Sequence, residues 1–98
     1  MTTEELVIEF TDALGEEFLK FDRVQQKLSS RPDIHAFILL NKLVPSGHGI
    51  VVKAEHDEIW LDVDPTDLAR VVNEHDIVDL VRCGVRYDEE YSSLAMFV

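Results

Sequence analysis

The hydrophobic pattern changes period once, at Ile50, and that change divides the chain into a helical part and a mixed part. Upstream, apolar residues recur every three or four positions. Thr3 is placed to cap a helix over 4–14, with Glu4 and Glu5 at its positive end, Leu6, Phe10, Ala13 and Leu14 on one face, and Gly15 as its stop. Phe18, Phe21, Val24 and Leu28 form a second stripe at i, i+3, i+6 and i+10, which predicts a second helix. Lys20, Arg23, Lys27 and Arg31 fall on its solvent side, and the run from Glu16 and Glu17 to Lys27 and Arg31 complements a helix dipole. This basic cluster therefore has a structural explanation. Ser30-Arg31-Pro32-Asp33 introduces a third helix carrying Ile34, Phe37, Ile38 and Leu40 to Leu43, expected to be the most buried of all. Pro45-Ser46-Gly47-His48-Gly49 ends it.

Downstream, Ile50, Val52 and Ala54 alternate with Val51 and Lys53, and Ile59, Leu61 and Val63 alternate with Trp60 and Asp62. With a turn at His56-Asp57, this predicts a hairpin pairing 50–55 with 58–63. Asp64-Pro65-Thr66-Asp67 has the form of a helix start: Asp64 as cap, Pro65 at the first helical position and Asp67 in the place of a capping-box acid. A further helix begins at Glu74-His75-Asp76, turns Ile77, Leu80 and Val81 inward, and ends at Arg82 and Gly84. Val85 to Tyr87 and Leu94 to Val98 then predict a last hairpin around the acidic turn 88–93. The order α-α-α-β-β-α-α-β-β implies one α+β domain over 1–98, with a four-stranded, mainly antiparallel sheet packed against helices.

Ninety-eight residues, 46% of them apolar, suffice for one core without metals or disulfides. Cys83 is the only cysteine, so no intrachain disulfide and no thiolate zinc cage can form, and a reducing cytoplasm is the expected compartment. The opening Thr2-Thr3-Glu4-Glu5 is unlike a signal peptide, and no apolar run is longer than the five residues of Ala36 to Leu40, far short of a membrane span. No cofactor is expected. The formal charge is -11, and residues 54–90 hold twelve acidic side chains against three basic ones. A field of that sign reaches about 8 Å into physiological salt and disfavours direct binding to nucleic acid or to anionic membranes.

Asp62-Val63-Asp64-Pro65-Thr66 follows an apolar strand and is similar to the Asp-x-Asp-x-Thr nucleophile motif of haloacid-dehalogenase phosphotransferases. That resemblance implies Asp62 as nucleophile and Asp64 as acid/base. It covers five residues; the family's fold is a longer parallel sheet, and no lysine follows Thr66 here, whereas the helix-cap reading accounts for Asp64 and Pro65 without catalysis. A calcium loop over the same aspartates fails, because its glycine position is Asp67 and its glutamate position is Asn73. His35, His48, His56 and His75 lack the spacing that sets two imidazoles on one helix face, so no metal site is expected. Ser46, Ser92 and Ser93 lack a nucleophile elbow, and Cys83 sits on an inner helix edge.

What remains is surface. Trp60 points away from Ile59, Leu61 and Val63, between Glu58 and Asp62, and is expected to be partly exposed as an interface anchor. The expected protein-binding residues are Glu55, Asp57, Glu58, Trp60, Asp62 and Asp67, with Tyr87 and Tyr91 as possible additions, against a protein partner with a basic surface. A sharper version has the acidic face imitate DNA phosphates and block a nucleic-acid-binding protein. The strand Leu94 to Val98 is apolar on both faces; if it lies at an edge, Leu94, Met96 and Phe97 would pair two copies into a homodimer. The alternative class is a small metal-dependent enzyme built on Asp62 and Asp64 with His56, which requires these groups to converge in a concave pocket.

Overall fold

In the computed structural model, which describes residues 1–98, the chain runs α1 (Thr3–Glu17), a 3₁₀ turn (Phe21–Arg23), α2 (Pro32–Leu43), β1 (Val51–Glu55), β2 (Glu58–Leu61), α3 (Pro65–Val71), α4 (Glu74–Arg82), β3 (Arg86–Asp88) and β4 (Ser93–Phe97). The fold is α+β, as the pattern predicts, with helices on one face of a four-stranded antiparallel sheet.

The local signals are realised with small shifts. Thr2, not Thr3, caps α1: its hydroxyl accepts from Glu5 N–H while the Glu5 carboxylate accepts from Thr2 N–H. Gly15 does not stop this helix, which continues to Glu17 and ends where Leu19 turns left-handed at φ 62°. Asp64 caps α3 by accepting from Thr66 N–H at 2.8 Å, and Pro65 follows it. Asp67 does not reach back to complete a box; it faces Arg70 instead. The reciprocal box lies on α4, between Asn73 and Asp76. That helix ends in a Schellman arrangement, Val85 N–H to Leu80 C=O and Gly84 N–H to Val81 C=O, with Gly84 at φ 97° where a Cβ would be strained.

The predicted second helix is realised only as the single 3₁₀ turn, and 24–31 is irregular. The reason is that side chains take the backbone groups a helix would have paired. Lys27 Nζ donates to Val24 C=O at 2.6 Å, Arg23 donates to Glu16 C=O at 3.1 Å, and Leu28 N–H donates to His35 Nδ1 at 3.0 Å. Nor is α2 the most buried helix. Ile34 and Ile38 are exposed, while Ile77, Leu80 and Val81 of α4 are fully buried.

His56 and Asp57 both have positive φ, 50° and 65°, the signature of a tight turn whose twist matches the β1–β2 hairpin. The hairpins join through an antiparallel β2–β4 pair, which registers Glu58 with Phe97, Ile59 with Met96 and Trp60 with Ala95. The strand order is β1-β2-β4-β3. The C-terminal strand is thus central, and Leu94 and Met96 point into the core against Leu6, Phe10, Leu40, Leu61, Leu68 and Ile77. This corrects the expectation of a dimer edge at Leu94, Met96 and Phe97. The open edges belong to β1 and β3. No helix is long and apolar enough to cross a membrane.

The Asp64 cap has a specific consequence. Replacing Asp64 by Ala is expected to cost about 1 kcal/mol in urea unfolding, while Asp64→Asn, which keeps the acceptor, retains nearly all stability. Two equally silent substitutions would remove the cap from the account of α3.

Candidate protein-binding face

Strand alternation sorts the sheet residues. Ile59, Leu61, Leu94 and Met96 face the helices, and Lys53, Glu58, Trp60, Arg86, Asp88, Ala95 and Phe97 fall on the opposite face, where no helix packs. In this outer layer Glu55 and Glu58 are paired directly across the hairpin, a destabilising position for two carboxylates. Each is compensated by a cation. Lys53 Nζ lies 3.2 Å from Glu55, and Arg86 forms an ion pair with Glu58 from the far side of β4. Arg86 can span that distance because the residue between, Ala95, is small and fully buried.

A second bridge crosses the same strand: Trp60 Nε1–H donates to Asp88 Oδ2 at 2.8 Å. This hydrogen bond, then the backbone N–H groups of Glu90 and Tyr91, hold the Asp88 carboxyl below the usual carboxylate range. Tyr91, from the β3–β4 turn, stacks edge-on against Trp60 with ring centroids 5.2 Å apart. Lys53 Nζ sits 4.1 Å from the Tyr91 ring centroid and 5.0 Å from that of Trp60. The Tyr91 side chain first, and Glu55 second, raise the pKa of Lys53. Arg86 lies over the Phe97 ring at 4.4 Å.

Trp60 is therefore not the partly exposed anchor expected. It is only 7% exposed, roofed by Lys53 and Tyr91, and its polar end is already bonded. The aromatic surface that reaches solvent belongs to Phe97, 60% exposed, and Tyr91, 48% exposed. Tyr87 packs toward the core.

The expected acidic residues do not form one face. Glu55 and Glu58 share the outer layer with Trp60, and Asp57 stands at the adjoining hairpin tip. Asp67 is on α3. Asp62 lines a separate cavity of about 210 Å³ with His48, Asn41, Ser46 and an apolar wall that includes Leu40 and Ile50. Asp64 does not line that cavity, and His56 is on the exposed tip, so the groups an enzyme would require are dispersed. No three His, Cys, Asp or Glu side chains are grouped to hold a metal ion. Cys83 is buried, which pushes its thiol up to about 12 and away from nucleophilic reactivity. Lys53, Arg86 and Asp88 were not among the expected site residues, although their alternation with Ala54 and Tyr87 was readable. An acidic row on α1, Glu5, Glu9, Asp12 and Glu16 at i, i+4, i+7 and i+11, was equally readable.

His35 is the one buried polar side chain. Because Nδ1 accepts the Leu28 N–H, the neutral ring carries its proton on Nε2, at the wall of a polar cleft shared with Asp79, His75 and Lys42. Comparison with protein-family models, curated proteins and solved structures found no match for this chain.

Removing the indole N–H by Trp60→Phe is expected to cost roughly 2 kcal/mol, since a bond to a charged acceptor is lost. Calorimetric unfolding at neutral pH would detect it, and an unchanged midpoint would mean the bridge is not formed in solution. For His35, burial lowers the pKa below the ordinary imidazole value, despite the opposing charge of Asp79 and with a small contribution from Lys27. The unfolded chain then binds the proton more readily than the native one. Stability should be complete above the unfolded pKa of about 6.5 and decline as pH falls below it. His35→Asn, which retains an acceptor for Leu28, should flatten the slope of stability against pH between about 5 and 7. A slope unchanged by this substitution would assign the titration to another group.

Proposed function

We propose that the chain is a non-catalytic, acidic protein-binding domain that docks a basic partner on the outer sheet face and the adjoining hairpin tip. The observation that carries this reading is a pair of exposed aromatic rings, Phe97 and Tyr91, set in a layer whose cations Lys53 and Arg86 are already neutralised by Glu55 and Glu58. Around them Asp57, Glu89 and Glu90 have no basic partner within the chain. Exposed aromatics fixed by a rigid support are what interface hot spots are made of, and an unneutralised acidic rim selects cationic surfaces and speeds their approach.

The α1 row supports a second, narrower reading in which the partner is a nucleic-acid-binding protein. Glu5, Glu9, Asp12 and Glu16 recur every turn along one helix face, none paired with a basic side chain, a repeat of about 5.4 Å that approaches the spacing of backbone phosphates.

Pull-down from lysate of the source cell, at low and high salt, tests both. Binding should weaken steeply as salt rises, because exposed charges are screened beyond about 8–10 Å. Phe97→Ala and Tyr91→Ala should each reduce affinity at least about tenfold, the effect of one truncated hot-spot residue, with the fold retained, although Tyr91→Ala, which uncovers Trp60, also lowers the unfolding midpoint. Displacement of the captured protein by duplex DNA would favour the phosphate-imitating version. Salt-independent capture that survives both alanine variants would overturn the proposal.

A further inference from the structure

At the end of the sheet, between the first turn of α2 and the close of α4, the structure holds an apolar groove of about 430 Å³. Phe37, Ile59 and Met96 line it, Cys83 lies beneath, and Leu19 and Phe97 stand at its margins. Those margins are costly to maintain. Leu19 is 64% exposed and adopts the left-handed conformation, where a side chain is disfavoured and glycine would sit without strain. It is held there from both sides: its N–H donates to Val81 C=O at 3.3 Å, and its Cδ2 lies so close to Gly84 that a Cβ there would come within 2.9 Å. Termination of α1 requires the left-handed backbone but not the leucine. Strain that local structure does not demand, at the lip of an exposed apolar groove, points to use of that lip.

The charge pattern restricts the occupant. A formal charge of -11 opposes both a second copy of this chain and an anionic amphiphile such as a fatty acid. Asp33 lines the groove without a basic partner, and the hairpin tip carrying Asp57 is tied to another lining residue by the Val98 N–H bond to Asp57 C=O at 2.8 Å. The backbone of β4 is paired on both sides, so nothing can be added there as a strand. A helix, which needs only an apolar channel, can enter.

We infer that the groove receives one amphipathic, basic helix of the partner, its apolar side chains against Phe37, Ile59 and Met96 and its lysines or arginines facing Asp33 and Asp57. This inference rests on the basic-partner reading and deepens it, because Phe97 borders both the groove and the outer face.

The test is an NMR titration, read at methyl, indole and aromatic-ring signals, of the full chain with a synthetic helix-forming peptide carrying leucines at i, i+3, i+4 and i+7 and lysines elsewhere. Two control peptides replace the leucines by glutamine or the lysines by glutamate. Methyl signals of Leu19, Ile59 and Met96 should shift with the first peptide and with neither control. Leu19→Gly, which removes the lip while suiting the backbone, should weaken binding at least tenfold with the fold intact, and Leu19→Glu should do the same. Shifts confined to the Trp60 indole and Tyr91 ring would overturn the groove and leave the outer-face reading standing. Equal binding of the glutamine control, or wild-type affinity of Leu19→Gly, would also overturn it.

Discussion

The β2–β4 pair is the contact on which the rest of this molecule depends. Without it the chain would be two separate hairpins, each marginal in water by itself. With it, Ile59 and Met96 close the apolar side of the sheet over α1, α2 and α4, and Trp60 and Ala95 create the other side. The small size of Ala95 allows Arg86 and Asp88 of β3 to reach Glu58 and Trp60 of β2 over the central strand. One backbone register thus determines the core and the outer polar layer together.

The features legible in the sequence are those decided within a few residues. The period change at Ile50, the tight turn at His56-Asp57, the Asp64-Pro65 start and the Gly84 stop are local, and each is found within a residue or two of its predicted place. The Phe18–Leu28 stripe misled because its competitors are polar side chains that the apolar period does not register: Lys27 takes the Val24 C=O, and His35, seven residues on in α2, captures the Leu28 N–H that a second helix would have used. The C-terminal strand was ambiguous for a related reason. An apolar run has the same composition at an edge as in the centre, and only pairing with β2 decides which. Of the candidate site, the hairpin acids and the outward direction of Trp60 were readable. Its burial was not, since the residues that cover it come from β1 and from the β3–β4 turn.

The acidic excess conceals an economical use of the few cations. Arg82 contacts Glu17 at 3.1 Å and Asp79 at 3.1 Å, and Arg23 contacts the same Glu17 at 3.0 Å, so α1, the 3₁₀ turn and α4 meet at one carboxylate. The Arg82 hydrogen bond first, and the Arg23 one second, lower the pKa of Glu17. Such clustering leaves the other carboxylates of α1 and Asp57 at the hairpin tip without basic partners, and they dominate the field an approaching molecule meets.

The central position of β4 also bears on how the chain reaches its native state. Each hairpin and helix can form from neighbours in sequence, but β2 must find β4 across all of α3, α4 and β3, so this closure is the slow, non-local step. Until it occurs, Leu94 to Val98 is paired on its β3 side only, and its other edge is open on an apolar strand with no charged side chain to deter association between chains. The segment most protected in the finished domain is therefore the one most hazardous during folding, and conditions that delay sheet closure should produce aggregates nucleated there rather than at the acidic surface.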